Sequence, residues 1–224
     1  MLGPVMQQRG FTLVELMIGL AVGLFVVGSA SGLLAARLRE HKAMLVEARL
    51  MQDLRTSMDI VTRDLRRTGY WGQATAAMHA ASPASNPYLS LAPASAASDA
   101  VSFQLSRDEV ENNRLDDNEQ FGFRLRKGVL DMLIGSGSWQ ALTDAGTLNV
   151  TAFTVTPTVR EQALATDLCD TPCPVGVAAC GPTLQQRSLA VSITARAGAD
   201  SRIVRTLTSE VRLRNDAIAG ACPA

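Results

Sequence analysis

Few side chains in this sequence could do chemistry, and they fall in three places. Glu15 is the only charge among residues 11–36. Four cysteines, Cys169, Cys173, Cys180 and Cys222, lie in the last quarter of the chain. Six carboxylates, Asp108, Glu109, Glu111, Asp116, Asp117 and Glu119, crowd into residues 108–119. A carboxylate held deep in a bilayer costs about 2.5–3.5 kcal/mol, so Glu15 calls for a positive partner. The cysteines admit two readings. In an exported domain they form disulfides, with three pairings open. As thiolates they would hold zinc, for which Cys-x3-Cys and Cys-x6-Cys are loose spacings. A redox Cys-x-x-Cys is absent. The acidic run could offer oxygens to calcium, yet it lacks EF-hand spacing, and a charge run between strands is ordinarily a solvated turn. His41 and His79 have no partner at ligand spacing and read as solvated. With no Ser, His and acid constellation and no phosphate loop, neither enzymatic activity nor a bound cofactor or metal is expected.

The element that positions Glu15 is an apolar run. Residues 16–36 carry no charge and would span roughly 31 Å as a helix, which matches a hydrocarbon core. Secretory h-regions are shorter, at 7–15 residues, although Ser29-Ala30-Ser31 imitates a signal-peptidase site. Gly19 and Gly23, and again Gly28 and Gly32, have the small-xxx-small spacing that lets helices approach closely. No proline interrupts residues 11–68. Beyond Arg37 the apolar positions Ala48, Met51, Leu54, Met58, Val61 and Leu65 recur in steps of three and four, one face of an amphipathic helix. Asp59 and Arg63 form an i,i+4 pair on another face, Arg66 and Arg67 suit the negative end of the dipole, and Gly69 is placed to stop the helix. A helix that is apolar all round and then striped spans a membrane and packs on a domain.

Gly10-Phe11, with Arg9 before it and Glu15 four residues after Phe11, resembles the processing site of type IV prepilins. The resemblance implies cleavage after Gly10 by a membrane aspartyl prepilin peptidase and N-methylation of Phe11. Cleavage there leaves an amine about one helical turn from Glu15, so that the Glu15 of one subunit can pair with the Phe11 amine of the next and set axial register. Lys and Arg near the span ends do not favour a leader-inside orientation, because Arg37, Arg39 and Lys42 follow the span and only Arg9 precedes it; that orientation is what the resemblance implies. A second likeness lies at the helix end. Asp64-Leu65-Arg66-Arg67-Thr68-Gly69-Tyr70-Trp71-Gly72 is similar to a run in the PilW minor pilins, kin of the J-type pseudopilins of type II secretion. Gly69 there caps the helix, and the Tyr70 and Trp71 rings cover its end. Val211-Arg212-Leu213-Arg214-Asn215 looks like the last strand of that family.

Residues 73–98 are rich in Ala, Ser and Pro and read as a long exposed loop. After Asp99 the period becomes two. Val101, Phe103 and Leu105 alternate with polar residues, as do Phe121, Phe123 and Leu125, and Lys127-Gly128 reads as a tight turn into 129–134. Further strands are expected at 147–156, 188–197 and 202–214, in a mainly antiparallel sheet that receives the helix stripe. The fold expected is therefore α+β, and the resemblance implies that it is pilin-like. It divides into a leader at 1–10, a transmembrane half-helix at 11–36, an amphipathic half at 37–68, a loop at 69–98 and a β-rich periplasmic head at 99–224.

The 224 residues carry a formal net charge of +0, near −1 once Arg9 is removed, with no basic stripe, so no nucleic acid partner is expected. The resemblance implies a minor pilin with its anchor in the inner membrane. Its partners would be the prepilin peptidase, other minor pilins and the major pilin, in a complex that primes type IV pilus assembly. A J-type pseudopilin of type II secretion, or an exported binding or enzymatic domain on a plain anchor, are the alternatives.

Overall fold

The computed structural model describes residues 10, 12–75, 85–135, 137–171, 173–174 and 180–223. The sequence expectations for Arg9, Phe11, His79 and Pro83 lie outside these. Among these residues a long helix, α1 (Leu13–Leu65), is followed by nine strands, β1 (Leu91–Ala92), β2 (Ala100–Gln104), β3 (Gln120–Arg126), β4 (Val129–Ile134), β5 (Trp139–Ala141), β6 (Leu148–Ala163), β7 (Thr183–Ala197), β8 (Val204–Arg212) and β9 (Ala217–Ala219). The chain divides into two compact units, 1–46 and 47–224.

In the first unit α1 is the one described helix long and apolar enough to cross a membrane. Its leucines, valines and Phe25 are exposed on every side, Phe25 by 76%. Only lipid or other apolar helices can cover such a surface.

In the second unit the remainder of α1 packs on antiparallel sheets, the α+β pilin-like arrangement. Its buried residues are Leu50, Leu54, Ser57, Met58, Val61, Thr62 and Leu65. The stripe thus starts at Leu50. Ala48 is exposed and Met51 half-buried, because the sheets first meet the helix one residue round from the expected line. Arg63 sits 3.8 Å from Asp64 instead of pairing with Asp59. Gly69 ends the turn after the helix at φ +74°, a conformation glycine adopts without strain, and its N–H donates to Gln104 O at 2.8 Å.

The strands form two sheets where one was expected. The first runs β1-β2-β3-β4-β5; the second is β6-β7-β8 with β9 paired to the early part of β7. Lys127 and Gly128, at φ 51° and 80°, make the two-residue turn of the β3–β4 hairpin. The break between sheets comes after β5, where Asp144 accepts from Gly146 N–H (2.8 Å) and turns the chain away. Period-two patterning tells a strand from a helix but not which strand it will pair with. Strands β1, β5 and β9 are not legible in the sequence because two or three residues cannot display alternation. Strand β5 is held by Arg124 of β3, which lies 3.9 Å from the centroid of the Trp139 ring and also reaches the buried Asp131 of β4 at 3.4 Å. The stretch at 73–98 is not simply an exposed loop. Leu91 and Ala92 pair with β2, Ser98 bridges Val155, and Tyr88 is fully buried.

Candidate functional site

The helix start is built by Thr12, whose Oγ1 accepts the Glu15 N–H at 3.2 Å while its carbonyl accepts Leu16 N–H at 3.1 Å. Glu15 is thus in the first turn, its side chain exposed and without a hydrogen-bond or ionic partner among the described residues. Gly10 is exposed, with no heavy atom within 4 Å of where a Cβ would stand. Gly19, Gly23, Gly28 and Gly32 are equally open, the first two on one side of the helix and the last two on roughly the opposite side, so each side can admit another backbone.

All four cysteines are paired in the head. Cys169 joins Cys222 with 5.4 Å between Cα atoms, and Cys173 joins Cys180 at 5.7 Å. These sulfurs are therefore not available as zinc thiolates. The first bridge ties the chain just beyond β6 to the tail after β9; the second closes a small loop before β7.

The acidic run departs from the solvated turn expected of it. Glu119 is fully buried, its two oxygens accepting the N–H groups of Arg107 (2.9 Å) and Asp116 (2.8 Å). Carboxylate oxygens of Asp108, Asp116 and Glu119 lie within 4.8 Å of one another. Protein donors take up this set as well, for Asn112 donates its backbone N–H to Asp108 and its side-chain amide to Asp116.

Glu111 is a hub that the sequence did not announce. It accepts from Ser106 Oγ (2.6 Å), Tyr88 Oη (2.7 Å), Asn113 N–H (2.9 Å) and Gly72 N–H (3.1 Å). Trp71, packed against Tyr88, donates its Nε1–H to Asn113 Oδ1 at 2.8 Å. Asn86 completes the lock by donating to Gly69 O at 2.9 Å and accepting from Tyr88 N–H at 2.8 Å. Trp71 alone is buried at the helix end, since Tyr70 remains 50% exposed. The one available signal was a lone aromatic, Tyr88, in an Ala/Ser/Pro stretch.

Burial pushes the Glu111 carboxyl up, but its Ser106, Tyr88, Asn113 and Gly72 donors outweigh that and hold it below the ordinary range. Burial and the same carboxylate push Tyr88 well up. A depressed carboxylate pKa contributes stability above its unfolded value of about 4.3, lost as pH falls through the folded pKa. Glu111→Gln is expected to cost about 1.5–3 kcal/mol at neutral pH, the range for hydrogen bonds to a charged group. The difference from wild type should close below about pH 4.3. Denaturant titrations at several pH values check this, and a pH-independent gap would remove Glu111's charge from the account.

Comparison with known proteins adds two matches. Residues 43–213 match the family model described as prepilin peptidase-dependent protein B, and residues 5–31 match the prokaryotic N-terminal methylation motif. No curated protein and no solved structure matches the chain.

Proposed function

Because the chain belongs to the prepilin peptidase-dependent protein B family, we propose that it is a minor pilin matured by prepilin peptidase. The cut falls between Gly10 and Phe11, and Phe11 becomes N-methylated. The observation that carries this reading is the coincidence of the methylation-motif match at 5–31 with a helix whose apolar surface is bare except for one carboxylate, Glu15. Helix α1 then anchors the protein in the inner membrane, with residues 11–36 spanning it and the β-rich head in the periplasm. There the protein joins other minor pilins, in the manner of the PilW group, in a complex that primes polymerisation of the major pilin. Pilin-like families are structural, and Glu111, Glu119 and the four cysteines are taken up in holding loops, which suits an assembly role better than catalysis.

Intact-mass analysis of protein from membranes tests the reading. A mass of residues 11–224 plus one methyl group is expected. Gly10→Val should leave the chain uncut, because a β-branched side chain stands where the peptidase approaches the backbone. The protein's own structure leaves room for that side chain, so misfolding would not explain the block. An unmethylated product starting beyond residue 29 would place the chain among ordinary secreted proteins.

A further inference from the structure

Beyond Val155, strand β6 has one edge that no described residue continues. Val155 exchanges both backbone groups with Ser98, at 3.0 and 2.8 Å, on the side away from β7. At the other end Leu164 N–H donates to Pro182 O, towards β7, at 2.9 Å. Backbone groups alternate sides along a strand, and the β6–β7 register runs unshifted from Ala152 to Ala163. Odd-numbered residues of this stretch therefore face away from β7. Pro157 is the first beyond the bridge and has no N–H. After it Val159, Glu161 and Ala163 point both backbone groups outward, and all three are exposed. No described residue bonds to these outward-facing groups.

A cavity of about 270 Å³ opens beside this edge, lined by Leu89, Leu91, Pro157, Val159 and Arg187 among others. Small-molecule sites run to about 300–1,000 Å³, so this one suits a side chain or two. Arg187 stands directly across from Val159 in the register and is only 9% exposed. Its terminal nitrogens donate to two carbonyls, Leu89 O at 2.8 Å and Asn215 O at 3.1 Å, and its buried Nε has no acceptor among the described residues. Burial pushes the Arg187 pKa down, and the charge of nearby Asp216, itself hydrogen-bonded to Arg212, offsets only part of this. A buried guanidinium bonded to carbonyls alone is matched by a carboxylate.

We propose that this edge docks an extended peptide segment bearing a carboxylate. Its main chain adds as a strand beside Val159 and Glu161, an apolar side chain enters the cavity, and the carboxylate meets Arg187. The negative Glu161, engaged by Gln185 at 2.9 Å, sets the direction by keeping the carboxylate at the Val159 end. This surface is independent of the anchor and of processing.

The test uses the full chain in detergent and fluorescein-labelled hexapeptides of alternating Thr and Val ending in Leu. Three forms are compared by anisotropy: the free acid, the C-terminal amide, and the amide with Asp as its penultimate residue. The free acid or the Asp amide is expected to bind at least tenfold more tightly than the plain amide, and which of them does so assigns the carboxylate to a chain end or a side chain. Val159→Pro should weaken that binding at least tenfold with an unchanged melting transition, since it removes an N–H that no described residue uses. Arg187 also holds the fold together, so the charge requirement is read from the peptides and not from a variant. Absence of binding, equal binding of all three peptides, or an unaffected Val159→Pro protein would overturn the proposal.

Discussion

Replacing Glu15 with valine is expected to leave the chain inserted and cut but to exclude it from the pilus complex. Among the described residues Glu15 supports nothing that the substitution would damage. The helix is started by Thr12 Oγ1, which holds the backbone N–H of residue 15, and valine retains that group. The carboxylate is exposed and has no partner among the described residues. In a lipid-covered helix such a charge costs about 2.5–3.5 kcal/mol until it is paired. The amine that processing creates on Phe11 of a neighbouring subunit is the partner proposed. At 1.4 kcal/mol per decade, loss of that pairing should weaken association about 100-fold. Glu15→Gln should behave alike, since it keeps the shape and removes only the charge. Co-purification with partner pilins and counts of surface pili are the measurements. Normal values for both variants would end the pairing role.

The second large effect is expected at the tail. Cys169 and Cys222 are 53 residues apart, whereas Cys173 and Cys180 are separated by 7. Loop-closure entropy makes the longer cross-link worth about 4 kcal/mol and the shorter about 2. Domains have only about 5–15 kcal/mol of net stability, so Cys222→Ala should bring the head close to unfolding while Cys180→Ala leaves it folded. The physical link runs through β9, whose pairing with β7 at Thr183–Gln185 rests on three residues and on the bridge just beyond them. Denaturant midpoints of the two variants, measured under non-reducing conditions, give the comparison. Peptide mapping should find one alkylatable thiol, Cys169, in the Cys222 variant and none in the wild type. Four alkylatable thiols in periplasmic wild-type protein would remove the disulfides altogether.

The proposed docking edge also separates head from anchor in function. Variants at Gly10 and Glu15 act on maturation and helix association, whereas Val159→Pro should touch neither. A Val159→Pro protein that is processed normally yet loses a partner would place that partner's contact on β6.

What the sequence determined alone is whatever depends on neighbours within one turn or one hairpin. The apolar run with its single carboxylate, Gly69 at the helix end, the Lys127-Gly128 turn and the alternating strands from Val101 to Leu125 are all local patterns, since period and turn chemistry are set by adjacent residues. The α+β class followed from them, and its pilin-like form from the resemblance at Gly10-Phe11 and at the helix end. The fold alone decided what long-range closure sets. It chose one of three cysteine pairings, split the strands between two sheets after Asp144, and turned the helix stripe onto Leu50. It also joined half-buried Glu111 to buried Tyr88, making a lock out of an acidic run and a loop 23 residues apart. Arg187 meets Leu89 across 98 residues for the same reason. No period or spacing records such meetings. Burying a charge or a phenol demands partners, and only the folded chain settles which distant donors and acceptors arrive to meet that demand.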